Sequence, residues 1–179
     1  MGLFGRKPSH AKQVEATWTV FGNLMAVTVE GRAGAPEGLD FKRPDSVFRY
    51  AVFCLSATHA ACEYKMSNPD AVLNESLNML VQAVVGSPDD FLSGQMTSSQ
   101  EIANRAAALL QDFLQRWSAW MKIAKGKNSP ADHSLVIAMI YETESPDPIS
   151  DGDGERLYPL AIWIESRLGA MSGAFGDMT

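Results

Sequence analysis

Between residues 99 and 125 apolar side chains return every three or four positions. Ile102, Ala106, Leu109, Phe113 and Trp120 form one stripe, and Leu110, Leu114, Trp117 and Met121 widen it. That is the period of an amphipathic α-helix, with one face turned to a core. Ser98-x-x-Glu101 supplies a capping box at its start, and Gly126 a stop at its end, with Lys122 and Lys125 near the negative pole. A helix of that length spans about 40 Å at about 1.5 Å per residue. Residues 45–66 show a different pattern. Phe48, Val52, Leu55, His59, Cys62 and Met66 follow a 4-3-4-3-4 spacing, while Ala51, Ala57, Ala60 and Ala61 fill the other sides. A helix apolar all round belongs in the middle of a bundle.

Prolines mark where elements begin. Pro-Asp occurs in Arg43-Pro44-Asp45, Asn68-Pro69-Asp70, Ser87-Pro88-Asp89 and Ser145-Pro146-Asp147, and Ser129-Pro130-Ala131-Asp132 is a looser relative. Proline suits the first helical position because its missing N–H has no partner there. The residue before it can cap, and the following acid meets the positive helix end. These signals predict helices over 45–66, 69–85, 88–92 and 99–125. Pro146, Pro148, Gly152 and Gly154 predict a loop, followed by a last helix over 158–168 that stops at Gly169. Two stretches read both ways. Leu135–Tyr141 has a helical cap but the branched residues of a buried strand. Val14, Trp18, Phe21 and Met25 stand at helical spacing, yet residues 16–30 also read as a β-hairpin turning at Gly22-Asn23. Five β-branched residues between 17 and 28 weaken the helix. Gly31 to Arg43 reads as a connector.

The chain has 179 residues, 46% hydrophobic and 20% charged, which suits one domain, 1–179, with one core and loose ends at 1–9 and 170–179. The net charge of -6 argues against non-specific nucleic-acid binding. Most of the acidic excess lies after residue 50. Cys54 and Cys62 are eight apart on one expected helix, about 12 Å between Cα atoms, too far for a disulfide. Two free buried thiols suit a reducing compartment, so the expectation is a cytoplasmic protein. No stretch reaches the ~18–20 apolar residues of an integral membrane segment. Leu3 and Phe4 with Arg6 and Lys7 are a candidate peripheral membrane contact. Arg6 stands where N-myristoylation calls for Ser or Thr.

The strongest candidate for chemistry is His59, Cys62 and Glu63, at i, i+3 and i+4 on one helix surface. Imidazole, thiolate and carboxylate are all competent metal ligands. The competing reading puts His59 and Cys62 in the packing seam, where a free Cys behaves as a small apolar residue. Arg49, Ser56 and Glu63 form a polar stripe nearby. Cys62, His133 and Asp132 supply the residue types of a nucleophilic triad without any spacing that joins them. No nucleophile elbow, P-loop or dinucleotide fingerprint occurs. The acidic run Asp147–Glu155 resembles a calcium loop, but with Gly154 at the sixth position Ile149 and Leu160 occupy the first and twelfth, and with Gly152 there Tyr158 stands where the bidentate acid belongs, so it reads as a solvated turn. Phe113, Trp117 and Trp120 read as core before they read as a stacking platform, and Lys122, Lys125 and Lys127 as helix-end lysines.

The resulting expectation is a mostly α fold, an irregular bundle of four or five main helices with an N-terminal β-hairpin as an option. The leading functional expectation is a non-enzymatic protein–protein interaction module or homo-oligomer subunit, with no cofactor and no catalytic residues. The alternative is a helical-bundle metal- or small-ligand-binding protein centred on His59 and Glu63.

Overall fold

The computed structural model describes residues 8–29, 39–94, 98–124 and 133–179. These form α1 (His10–Val29), α2 (Ser46–Cys62), a 3-10 turn (Glu63–Lys65), α3 (Pro69–Gly86), α4 (Pro88–Leu92), α5 (Ser99–Ala124), α6 (Ser134–Glu144) and α7 (Asp151–Met178). Among the described residues there is no strand. The expectations placed on Leu3–Lys7, on the connector as far as residue 38, and on Lys125, Gly126, Lys127, Pro130 and Asp132 lie outside the described residues.

The small residues of α2 decide the architecture. Ala51, Ala57 and Ala61, together with Ser56 and Cys54, leave room for neighbours on every side, and α2 touches each of the other six helices. Its large side chains, Phe48, Tyr50, Phe53 and Leu55, are fully buried among them. The α5 stripe packs along α2. Ile102, Ala106, Leu110, Phe113, Trp117 and Trp120 are buried, while Leu109 sits at the edge. The Trp117 indole N–H donates to Ser56 Oγ at 3.0 Å, and Ser56 donates in turn to the Phe53 carbonyl at 2.6 Å. This chain of bonds satisfies polar groups in the interior. At the helix starts, Asn68 accepts from the Ala71 amide and Ser98 from the Glu101 amide.

Residues 16–30 do not form a hairpin, because α1 runs through them to Val29. Gln13, Val14, Ala16, Thr17, Val20, Phe21 and Leu24 are buried along one helical face. Burying each large apolar side chain there contributes about 1.5–3 kcal/mol, against about 1 kcal/mol for Gly22 within a helix. Thr17 and Thr19 bond their hydroxyls to the carbonyls of Gln13 and Glu15, so the β-branched residues fit the helix. The Gln13 amide clamps the start of α1 to the chain after α2. It donates to Ser67 Oγ at 2.7 Å and accepts from the Ser67 amide at 2.9 Å.

The 135–141 stretch is helical within α6, its branched residues Val136, Ile137 and Ile140 buried. The last helix is longer at both ends than 158–168. Ser150 and Asp153 cap each other reciprocally, a capping box with Asp in place of Glu or Gln, and α7 starts within the glycine-containing stretch read as a loop. Gly169 does not stop it. Leu160, Ile164, Leu168, Met171 and Phe175 continue one buried stripe across that glycine. Residues 170–178 belong to this helix. Lys65 donates to the Ser172 carbonyl at 2.6 Å, and the Tyr64 and Ser172 hydroxyls share a hydrogen bond.

Glu144, at the C-terminal end of α6, ties three segments together while only 1% exposed. Its carbonyl accepts from the Lys42 and Arg43 amides and from Ser46 Oγ. Its carboxylate accepts from the Asp40 amide and from the Arg156 guanidinium of α7, the latter at 2.6 Å.

Candidate functional site: a polar recess between α2, α3 and α5

The last turn of α2 carries His59, and the 3-10 turn that follows places Glu63 beside it. Asp70 stands in the first turn of α3, where the positive helix end favours a carboxylate. Ser118 and Lys122 lie one turn apart on α5. All five line a recess of ≈ 480 Å³, walled by Leu73, Leu114, Trp117 and Met121.

His59 is only 4% exposed. Its Nε2 lies 3.5 Å from Glu63 Oε2, an ion-pair distance longer than a good hydrogen bond. Its Nδ1 is buried and has no hydrogen-bond partner. Burial pushes the imidazole below the ordinary histidine range, and the Glu63 and Asp70 carboxylates oppose that shift without cancelling it. The folded protein therefore holds a neutral ring at pH 7, whereas the unfolded chain protonates near pH 6.5. A pKa depressed by folding means that His59's contribution to stability is complete above about pH 6.5 and is lost as pH falls through the folded value. Histidine NMR titration is expected to show one ring that titrates below 6.5 in the native protein. A His59 ring titrating above 6.5 would contradict this account.

Of the three residues picked out at i, i+3 and i+4, the structure brings His59 and Glu63 to the recess. Cys62 is fully buried, and burial pushes its thiol up to about 12, so no thiolate is present near neutral pH. Among the described residues no group of three or more His, Cys, Asp or Glu side chains is placed to hold a metal ion. His133 is engaged elsewhere: Nδ1 pairs with Glu165 of α7 at 2.7 Å, and its ring meets Tyr158 edge-on. Asp147 bonds to Ser145, and Asp151 to Glu155 form the first turn of α7. Phe113, Trp117 and Trp120 are core residues.

Asp70, Ser118 and Lys122 escaped the sequence reading as site residues. Asp70 and Lys122 had sufficient reasons as helix-end charges, and the one available signal was the i, i+4 spacing of Ser118 and Lys122 beside the apolar stripe. Comparison with protein-family models, curated proteins and solved structures finds no match. The chemistry of the recess is thus argued from its side chains alone.

Proposed function

We propose that this protein binds a small ligand in the recess between α2, α3 and α5, and that the ligand is a compact protonated amine. The observation that carries this reading is the charge balance around a buried, uncharged imidazole: among the described residues lining the recess, Glu63 and Asp70 stand with one ammonium, Lys122. The surplus carboxylate favours a cation, and His59, with an unpartnered ring nitrogen, offers it a neutral hydrogen-bonding group. Leu73, Leu114 and Met121 accommodate a short apolar body. The volume falls within the range of small-molecule sites.

The test is a series of primary amines from methylamine to hexylamine, with the matching carboxylates as controls, read by His59 ring NMR and thermal melting. An amine at about 100 times its Kd is expected to stabilise the fold by about 2.7 kcal/mol, or roughly 5–10 °C in Tm. The paired substitution Glu63→Gln with Asp70→Asn should abolish the response and leave the helical circular dichroism unchanged. If no amine moves the His59 ring, or carboxylates move it equally, the reading fails. A second reading, an interaction module or homo-oligomer subunit, draws on Tyr158 and Ile162, exposed one turn apart on α7. Concentration-dependent sedimentation together with silence towards every amine would favour it instead.

A further inference from the structure

A second concavity, ≈ 370 Å³, lies on the opposite chemistry. It forms where α7 crosses α1, and its walls are Val20 and Leu24 from α1 with Met171 and Ala174 from α7. Trp163, Arg167 and Met171 follow one another at i, i+4 and i+8, so α7 delivers an aromatic ring, a cation and an apolar side chain along one face.

The polar groups at this place are mostly donors. The Arg167 guanidinium lies over the Trp163 ring, 5.1 Å from its centroid, and among the described residues it has no carboxylate partner. The Trp163 indole nitrogen is buried and has no acceptor. An indole N–H can only donate, and a buried donor left without an acceptor is costly. Asn23, also in the lining, adds an amide that can donate to the same ligand. A guanidinium, a residue whose buried N–H lacks an acceptor, and an amide, all lining one apolar trough, call for an anionic oxygen pair attached to a hydrocarbon body.

We propose that the α1–α7 trough is a binding site for a small monocarboxylate with an apolar chain. Its carboxylate is held by Arg167 and the Trp163 N–H, and its chain lies between Leu24 and Met171. The volume, near the lower end for ligand pockets, suits a chain of about six to eight carbons. The site is independent of the His59 recess and of opposite charge preference.

Octanoate is the probe, with octanol, octylamine and inorganic phosphate as comparisons, read by calorimetry and by tryptophan fluorescence of the full chain. Octanoate should bind saturably, and Arg167→Gln, an exposed position, should weaken it about tenfold or more through loss of the charge-assisted contact. Trp163→Phe keeps an aromatic ring beneath the guanidinium and should weaken binding severalfold while removing most of the fluorescence response. Octanol and octylamine should bind at least tenfold more weakly than octanoate. Circular dichroism of each variant checks that the helices are intact. Equal binding of octanoate and octanol, wild-type affinity in Arg167→Gln, displacement by equimolar phosphate, or no saturable signal into the millimolar range would each overturn the proposal.

Discussion

Replacing Trp117 by alanine is expected to cost about 3–5 kcal/mol of folding stability, the range for removing a large buried aromatic side chain. For a chain of this size that corresponds to roughly 6–20 °C in Tm. The expectation is at the high end of single substitutions because Trp117 joins several interactions at once. It is fully buried, packs on Phe53 with ring centroids 5.7 Å apart, meets Trp120 edge-on, and donates to Ser56 deep in α2. Trp117 also walls the recess, so its loss admits water to His59 and should bring the imidazole back towards its ordinary titration range. Trp117→Phe keeps most of the packing and should cost markedly less. Urea unfolding of both variants, with NMR of His59, checks the two parts together. A cost below about 1 kcal/mol for the alanine would mean that α2 and α5 close over the gap, contrary to a tightly filled interior.

The second large effect is expected at Arg156. Its guanidinium is the charge partner of Glu144, whose side chain is 1% exposed. Arg156→Met leaves a carboxylate buried without its counter-ion. Losses of this kind cost about 3–5 kcal/mol, and the partial exposure of Arg156 places the expectation at about 3 kcal/mol. Glu144→Met combined with Arg156→Met should be less harmful than Arg156→Met alone, because an apolar pair leaves no unpaired charge behind. The Asp40 amide released in that double variant belongs to an exposed residue and can turn to water. Denaturant unfolding of the two single variants and the double variant measures the coupling. If the double variant is the least stable of the three, the ion pair does not account for how the 39–46 segment is held.

The elements visible in the sequence were those whose local and tertiary demands agree. In α5 the apolar stripe, the Ser98 cap and the length all point one way, and the stripe is displaced only slightly, its centre passing through Leu110 rather than Leu109. The all-round apolar character of α2 likewise placed it in the middle before any contact was known. Where the demands conflict, the larger burial term wins. Thr17, Val20, Gly22 and Asn23 resist a helix locally, yet the face built on Val14, Phe21 and Leu24 outweighs them. Gly152, Gly154 and Gly169 suggested loop and stop, but the stripe from Leu157 to Phe175 carries the helix through.

The recess was half visible for the same reason. His59 and Glu63 share a segment, so their spacing showed them together. Asp70 and Lys122 come from other helices, and only the packing of α3 and α5 on α2 brings them near. The α1–α7 trough left a trace in the four-residue step from Trp163 to Arg167. That Trp163 and Arg167 share a trough with Val20 and Leu24 of α1 is something no local pattern reveals.

The make-up of α7 has a consequence for how the molecule comes together. Five glycines, at 152, 154, 169, 173 and 176, and Pro159 within the helix would leave this segment unfolded in water on its own. Its order is induced by the surfaces of α1, α2 and α6 already in place. The C-terminal sixth of the chain is therefore expected to be zipped down after the rest has assembled, and native-state hydrogen exchange should show its amides opening before those of α2.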